Sequence, residues 1–329
     1  MIRISASRAG ETAGLAALWD RAVLAQGEAH EITSGLLERL DAVVHEDGLS
    51  FEIVVARDRS EVVGFALGCA QKAGAGDGTE SGSQPGWLSG VAVEPSRWRQ
   101  GIGRRLLRGL EQAFVRQGKT VVATQTFRMP VSLLRRPYLD SAPYRFLISC
   151  GYRPLTHELY LRNNLERFHL SDEVKRRREV LSAEGIHYRM YEPGDRAELL
   201  ELVGRYFPAG WHATIERATA DDCRPVIFVV RAGGQIVGFM GPLDIRQPRT
   251  PGRFGSPGVD PAFRGRGIGK VLINLSLDYL KKAEVSEVRY STGLTNPARF
   301  TYFDSGAELL GVYCSSFRKS LPAKPRPVG

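Results

Sequence analysis

Hydrophobic and polar positions alternate in two short runs far apart in the chain, Met1-Ile2-Arg3-Ile4-Ser5 and His187-Tyr188-Arg189-Met190-Tyr191. That period of two predicts an opening β-strand in each half. Acidic, alanine- and leucine-rich segments follow at 10–45 and 195–220 and read as helices. Next come paired strands. Phe51 to Arg57 turns at Asp58-Arg59-Ser60-Glu61 into Val62-Val63-Gly64-Phe65-Ala66, and Val226 to Arg231 turns at Ala232-Gly233-Gly234-Gln235 into Ile236-Val237-Gly238-Phe239-Met240. Polar or glycine-rich turns between apolar runs are hairpin chemistry. A helical period then takes over: Leu106, Leu107, Leu110 and Phe114 share one face, and Val271, Leu272, Leu275 and Tyr279 share another. Strands Val121 to Phe127 and Val288 to Leu294 follow, then a short helix, a glycine and closing strands near 157–163 and 311–319. Each half therefore reads β-(α,α)-β-β-β-α-β-α-β-β, and the chain is a duplication.

The halves share a chemically distinctive turn. Trp98-Arg99-Gln100-Gly101-Ile102-Gly103 and Arg264-Gly265-Arg266-Gly267-Ile268-Gly269 each follow a strand ending in valine, an acid and proline, and each opens an apolar-faced helix. Such a turn aims backbone N–H groups and the positive end of a helix dipole at one point, an arrangement suited to phosphate. The first half is longer on both sides of the turn, through the Gly/Ser-rich stretch Ala73 to Gly86 and the Pro/Arg-rich stretch Arg128 to Tyr144. The sequence places domains at 1–162 and 185–321. Between them, 163–184 is expected to be a linker helix with a solvated basic face at Lys175-Arg176-Arg177-Arg178, and 322–329 a frayed tail.

With 329 residues, 43% of them hydrophobic, two domains with their own cores are comfortable. The net charge of +9 favours an anionic ligand. A nucleic-acid binder is disfavoured because aromatic residues do not interleave with the basic ones. Cys69, Cys150, Cys223 and Cys314 have no metal-ligand spacing, so no metal is expected and free thiols in a reducing cytoplasm are. No stretch approaches the roughly 18 apolar residues of a membrane span, and no membrane association is expected.

The order of elements, together with Val259-Asp260-Pro261 and Arg264-Gly265-Arg266-Gly267-Ile268-Gly269, resembles the GNAT superfamily of acetyl-CoA-dependent N-acyltransferases. The resemblance covers both halves and suits the tandem, mycothiol synthase-like type. It implies an α+β fold: two GNAT-like domains, each a mixed, mostly antiparallel twisted sheet flanked by helices. A Rossmann fold would need its glycine turn after the first strand, whereas here it follows the fourth.

The resemblance further implies that acetyl-CoA pyrophosphate is held by the amides of Arg99, Gln100, Gly101, Ile102, Gly103 and Arg104 in the first half. Gly265, Arg266, Gly267, Ile268, Gly269 and Lys270, with Arg264, do the same in the second. Val91, Ala92 and Val93, and their counterparts Gly258 and Val259, would line the cofactor on the strand before the turn, with Asn296 beside it. A backbone N–H on that strand usually meets the thioester oxygen. Val91 has one, but Pro257 at the matching place does not. A tyrosine four residues before the last helix's glycine usually protonates the leaving thiolate. Tyr302 stands there before Gly306, whereas the first half has Leu147. Trp98 also stands where the family carries Arg or Gln. The C-terminal half is thus the expected catalytic one, with Tyr302 as general acid. Asp244, His212 and Glu308 are candidate bases, and an amine acceptor, small molecule or peptide, is placed near Tyr206, Phe207, Trp211 and His212. A non-catalytic acyl-CoA sensor is the alternative.

Overall fold

The computed structural model describes residues 2–8, 10–25, 49–71, 85–125, 138–220, 225–243 and 252–322. Most of the two long insertions of the first half, Asp244, Cys223 and nearly all of the tail lie outside these residues. The chain divides into two compact units: Met1–His157 with Tyr313–Gly329, and Glu158–Val312.

In the first unit, β1 (Ile2–Ala6), β2 (Leu49–Asp58), β3 (Glu61–Gln71) and β4 (Gly86–Val93) pair antiparallel in that order. Next to them, β4 and β5 (Val121–Gln125) run parallel, paired only at Gly86 and Trp87. Beyond Trp87 the two strands part. β4 also carries a bulge, since Leu67 faces Gly90 and Gly68 faces Leu88, leaving Ser89 as the extra residue. β3 is buried almost throughout because both faces of the sheet are covered. On one face α1 (Thr12–Leu24) packs Leu15, Leu18 and Trp19 on Phe65 and Leu67. On the other, α2 (Ile102–Arg116) packs the predicted stripe Leu106, Leu107, Leu110 and Phe114 on Val54, Ala66 and Leu88. A short helix, α3 (Ala142–Ser149), precedes the closing strand β6 (Arg153–Asn164).

The second unit begins where β6 continues past His157. Its further elements are α4 (Asp172–Ala183), β7 (Ile186–Met190), α5 (Arg196–Tyr206), α6 (Ala209–Ala218), β8 (Val226–Ala232), β9 (Gln235–Leu243), β10 (Gly252–Arg253), β11 (Ser256–Val259), α7 (Ile268–Lys282), β12 (Glu287–Gly293), α8 (Ala298–Asp304) and the start of β13 (Glu308–Ser320). β7, β8, β9 and β11 form an antiparallel sheet, while β10, β12 and β6 pair separately. The strand before the second glycine turn is thus broken at Phe254-Gly255, where the first unit only splays. Glycine is required at 255: a Cβ there would lie 2.4 Å from the carbonyl carbon of Gly241.

The closing strands sit in unexpected places. Glu158 to Asn164 of β6 pairs with β12 in the second unit, whereas Ser316 to Ser320 of β13 pairs with β5 in the first. Phe317 and Cys314 are core residues of the first unit. The boundaries at 162 and 185 are corrected accordingly, because each half's last strand completes the sheet begun by the other half. Each half also has one closing strand where two were expected. The segment 163–184 is no free linker either. Asn163 is buried, and Val174 and Leu181 of α4 join the core under α7.

Candidate active site

Both glycine turns are built alike. After β4 the chain makes a 3-10 turn at Pro95–Arg97, passes through Arg99 at φ +65° and Gly101 at φ +73°, and enters α2. After β11 it turns at Pro261–Phe263, passes through Gly265 and Gly267, both at φ +77°, and enters α7. These left-handed residues fold the loop back under the helix start. Neither helix has a side-chain cap. The first-turn amides, which have no intrahelical acceptor, are left as donors at the positive end of a dipole. Both units therefore present uncapped first-turn amides at the end of a glycine turn.

Trp98 does not spoil the first loop. Its indole Nε1 donates to the carbonyl of Val93 at 2.7 Å. The equivalent Arg264 donates from Nε to the carbonyl of Val259 at 3.0 Å. Two chemically different side chains make one staple.

The surroundings of the loops differ. The site of a Cβ on Gly101 is open, with nothing within 4 Å, whereas one on Gly267 would lie 3.0 Å from Arg177 Nε. Two cations at the first turn are committed elsewhere, Arg97 to Asp58 at 3.0 Å and Arg105 to the carbonyl of Ile2 at 2.8 Å. At the second turn, Lys270 pairs with Glu173 at 2.9 Å and Arg266 with Glu184.

Tyr302 is 5% exposed in α8. Its ring centroid is 4.8 Å from that of Tyr290 and 6.4 Å from that of Phe254, the residue at the break between β10 and β11. Its hydroxyl has no hydrogen-bond partner among the described residues, and burial pushes its pKa well above the ordinary phenol value. α8 itself is held in place: Tyr290 donates to Asn163 Oδ1 at 2.6 Å, Asn163 donates to the Ser305 carbonyl at 2.9 Å, and Asn274 donates to Ser305 Oγ at 2.8 Å. Asn163 lies in the segment expected to be a linker, and nothing in the local pattern marks it as an anchor of this helix. In the first unit Leu147 occupies the matching place and is buried.

The other expected residues fall as follows. Val91 pairs with Ala66, and Ala92 and Val93 with Phe65 and Gly64. Pro257, Gly258 and Val259 pair with Met240, Phe239 and Gly238. Asn296 accepts from the amide of Ala298 at 3.0 Å and so shapes the entry into α8. Glu308 is exposed, its pKa held below the usual carboxylate range by the hydrogen bond and charge of Arg162. That makes it a weak base. His212 stands 3.9 Å from Glu216 on the surface of α6. Phe207 stacks on Trp211 at 5.4 Å, and both meet Phe239. Gly258 abuts this cluster closely, since a Cβ there would lie 2.3 Å from Phe239 and 2.8 Å from Phe207.

The model of the acetyltransferase (GNAT) family matches residues 15–129 and again 196–303. The chain belongs to the GNAT family, twice over. A mycothiol acetyltransferase of Amycolatopsis mediterranei is 29% identical over 42% of this chain and 53% of its own length. Another from Thermomonospora curvata is 27% identical over 65% of this chain and 68% of its own. The first alignment thus spans about half of the relative it matches. A tandem GNAT protein from the clavulanic acid biosynthesis pathway shares the fold, with a TM-score of 0.64 at 16% identity over 98% of this chain and all of that one. Cys69, Cys150 and Cys314 form no disulfide among the described residues. Among the described residues no group of acids, histidines and cysteines is arranged to hold a metal, and no helix is long and apolar enough to cross a membrane.

Proposed function

We propose that the chain transfers an acetyl group from acetyl-CoA directly to an amine, with catalysis in the second unit. The observation that carries this is the buried hydroxyl of Tyr302, without a hydrogen-bond partner among the described residues, beside the break between β10 and β11. A buried polar group without a bond is costly, so it is retained where a reacting partner satisfies it. The amides at Gly267 to Lys270 would receive the pyrophosphate, with Arg264 fixing the loop from below. Acetyl-CoA supplies the thioester. The amine nitrogen forms a bond to the thioester carbon, the C–S bond breaks, and Tyr302 gives its proton to the sulfur. The proton lost by the amine returns the tyrosine to its neutral form through water. Burial keeps Tyr302 protonated at neutral pH, the state a general acid needs. No acyl-enzyme is required.

The acceptor would lie on the Phe207, Trp211 and Gly258 side of β11. This surface is aromatic rather than acidic and suits a small amine or peptide terminus rather than a polycation. The first unit keeps a phosphate loop but, with Leu147 in place of an acid, would bind cofactor without turning it over.

Thiol release from acetyl-CoA across an amine panel tests the assignment. Gly267→Glu and Tyr302→Phe are each expected to abolish or strongly reduce turnover. Full activity in both, with loss in Gly101→Glu, overturns it in favour of the first unit.

A further inference from the structure

Residues 163–184 lie outside both family-matched segments, yet α4 forms one wall of a cleft of about 470 Å³ whose other wall is the second glycine turn. Arg176, Arg177, Arg266 and Lys270 line it, with Glu173 as the carboxylate in the lining. Val174, Arg177 and Leu181 share one face of α4. The two apolar members are buried in the core, which carries Arg177 onto the loop.

Arg177 is fixed there rather than solvated. Its Nε donates to the carbonyl of Arg266 at 2.8 Å, and Nη2 donates to the same oxygen. Among the described residues no carboxylate forms an ion pair with it, in contrast to Arg266 and Lys270. A guanidinium held by one edge still has N–H groups on its other nitrogen, and its planar fork is already oriented. The bond also offsets the partial negative charge of a carbonyl lying between the amides that face the cofactor. The cleft therefore combines preoriented positive charge with an opening onto a phosphate loop, and its lining cations outnumber its lining acid.

We propose that Arg177 is a cofactor-phosphate ligand supplied from outside the acetyltransferase core, and that the cleft between α4 and the loop takes the 3′-phosphate of coenzyme A. This rests on the reading that the second loop holds the pyrophosphate. A terminal phosphate monoester beyond the pyrophosphate is the part of the cofactor still needing a cation once the loop amides are occupied.

The test compares the binding of acetyl-CoA and acetyl-dephospho-CoA by calorimetry, using the full chain carrying Gly101→Glu so that only the second loop reports. Arg177→Gln keeps a donor for the Arg266 carbonyl but removes the charge, and its melting temperature checks that α4 stays docked. The parent should prefer the 3′-phosphorylated ligand by roughly tenfold or more, as expected for a hydrogen bond between charged groups. Arg177→Gln should lose that preference while binding acetyl-dephospho-CoA unchanged. A preference that survives the substitution overturns the proposal, as does equal weakening of both ligands, which would make Arg177 a support of the loop. If the Gly101→Glu protein binds neither ligand, the pyrophosphate reading fails as well; the other two results leave it standing.

Discussion

Trp98 donates its indole N–H to the carbonyl of Val93, and in doing so takes the role that an arginine guanidinium plays at the second loop. Removing the donor by Trp98→Phe should destabilise the first unit by about 1 kcal/mol and weaken acetyl-CoA binding in a Gly267→Glu background. Trp98→Arg should restore both. Urea denaturation and calorimetry on the pair decide it; equal effects of Phe and Arg would mean that the indole matters for its bulk alone.

Tyr302→Phe separates chemistry from folding. The hydroxyl is buried without a partner among the described residues, so its loss should leave the melting temperature unchanged or slightly raised. Turnover should fall by about 10²-fold or more with little change in KM. A variant that melts earlier and keeps its turnover would make Tyr302 a structural residue.

Alkaline pH should weaken the second unit. Burial raises the pKa of Tyr188, Tyr290 and Tyr302 above the ordinary value near 10. Each holds its proton longer folded than unfolded, so its contribution is complete below about pH 10 and is lost as pH rises beyond that. Urea midpoints at pH 8 and pH 11 should show the drop. Tyr302→Phe should reduce it.

Phe317 stands near the end of the chain but in the core of the first unit. Phe317→Ala should cost about 3–5 kcal/mol and lower hydrogen-exchange protection in β2, β3 and β5 rather than in β8 and β9. A fragment ending at residue 162 should fail to fold by itself, since it lacks the strand that pairs with β5. A monomeric, cooperatively melting fragment would refute the exchange.

The duplication, the order of elements up to the closing strands and both helix stripes were legible because hydrophobic period and glycine placement are local signals. The place of Tyr302 four residues before Gly306 was legible too, but its burial and the strand break beside it were not. What escaped was non-local. The two closing strands carry similar alternation, and nothing in either says which sheet it joins. Trp98 read as an interruption because its residue type differs from Arg, although its N–H reaches the same carbonyl. Arg177 read as solvent-facing within a run of basic residues. The spacing of Val174, Arg177 and Leu181 was the available clue, and it placed one member of that run on the buried side.

The exchange of closing strands also orders events at the ribosome. The first unit's sheet keeps β5 as a bare edge until Ser316 to Ser320 emerge, after every element from β6 to β12 has been made. An unpaired strand edge is a template for wrong partners, so the N-terminal half waits in its most vulnerable form while the second half is made. For the same reason neither copy can be shed or shuffled as a gene segment without unfinishing the other. The duplication is therefore locked by topology rather than by the catalytic worth of both halves.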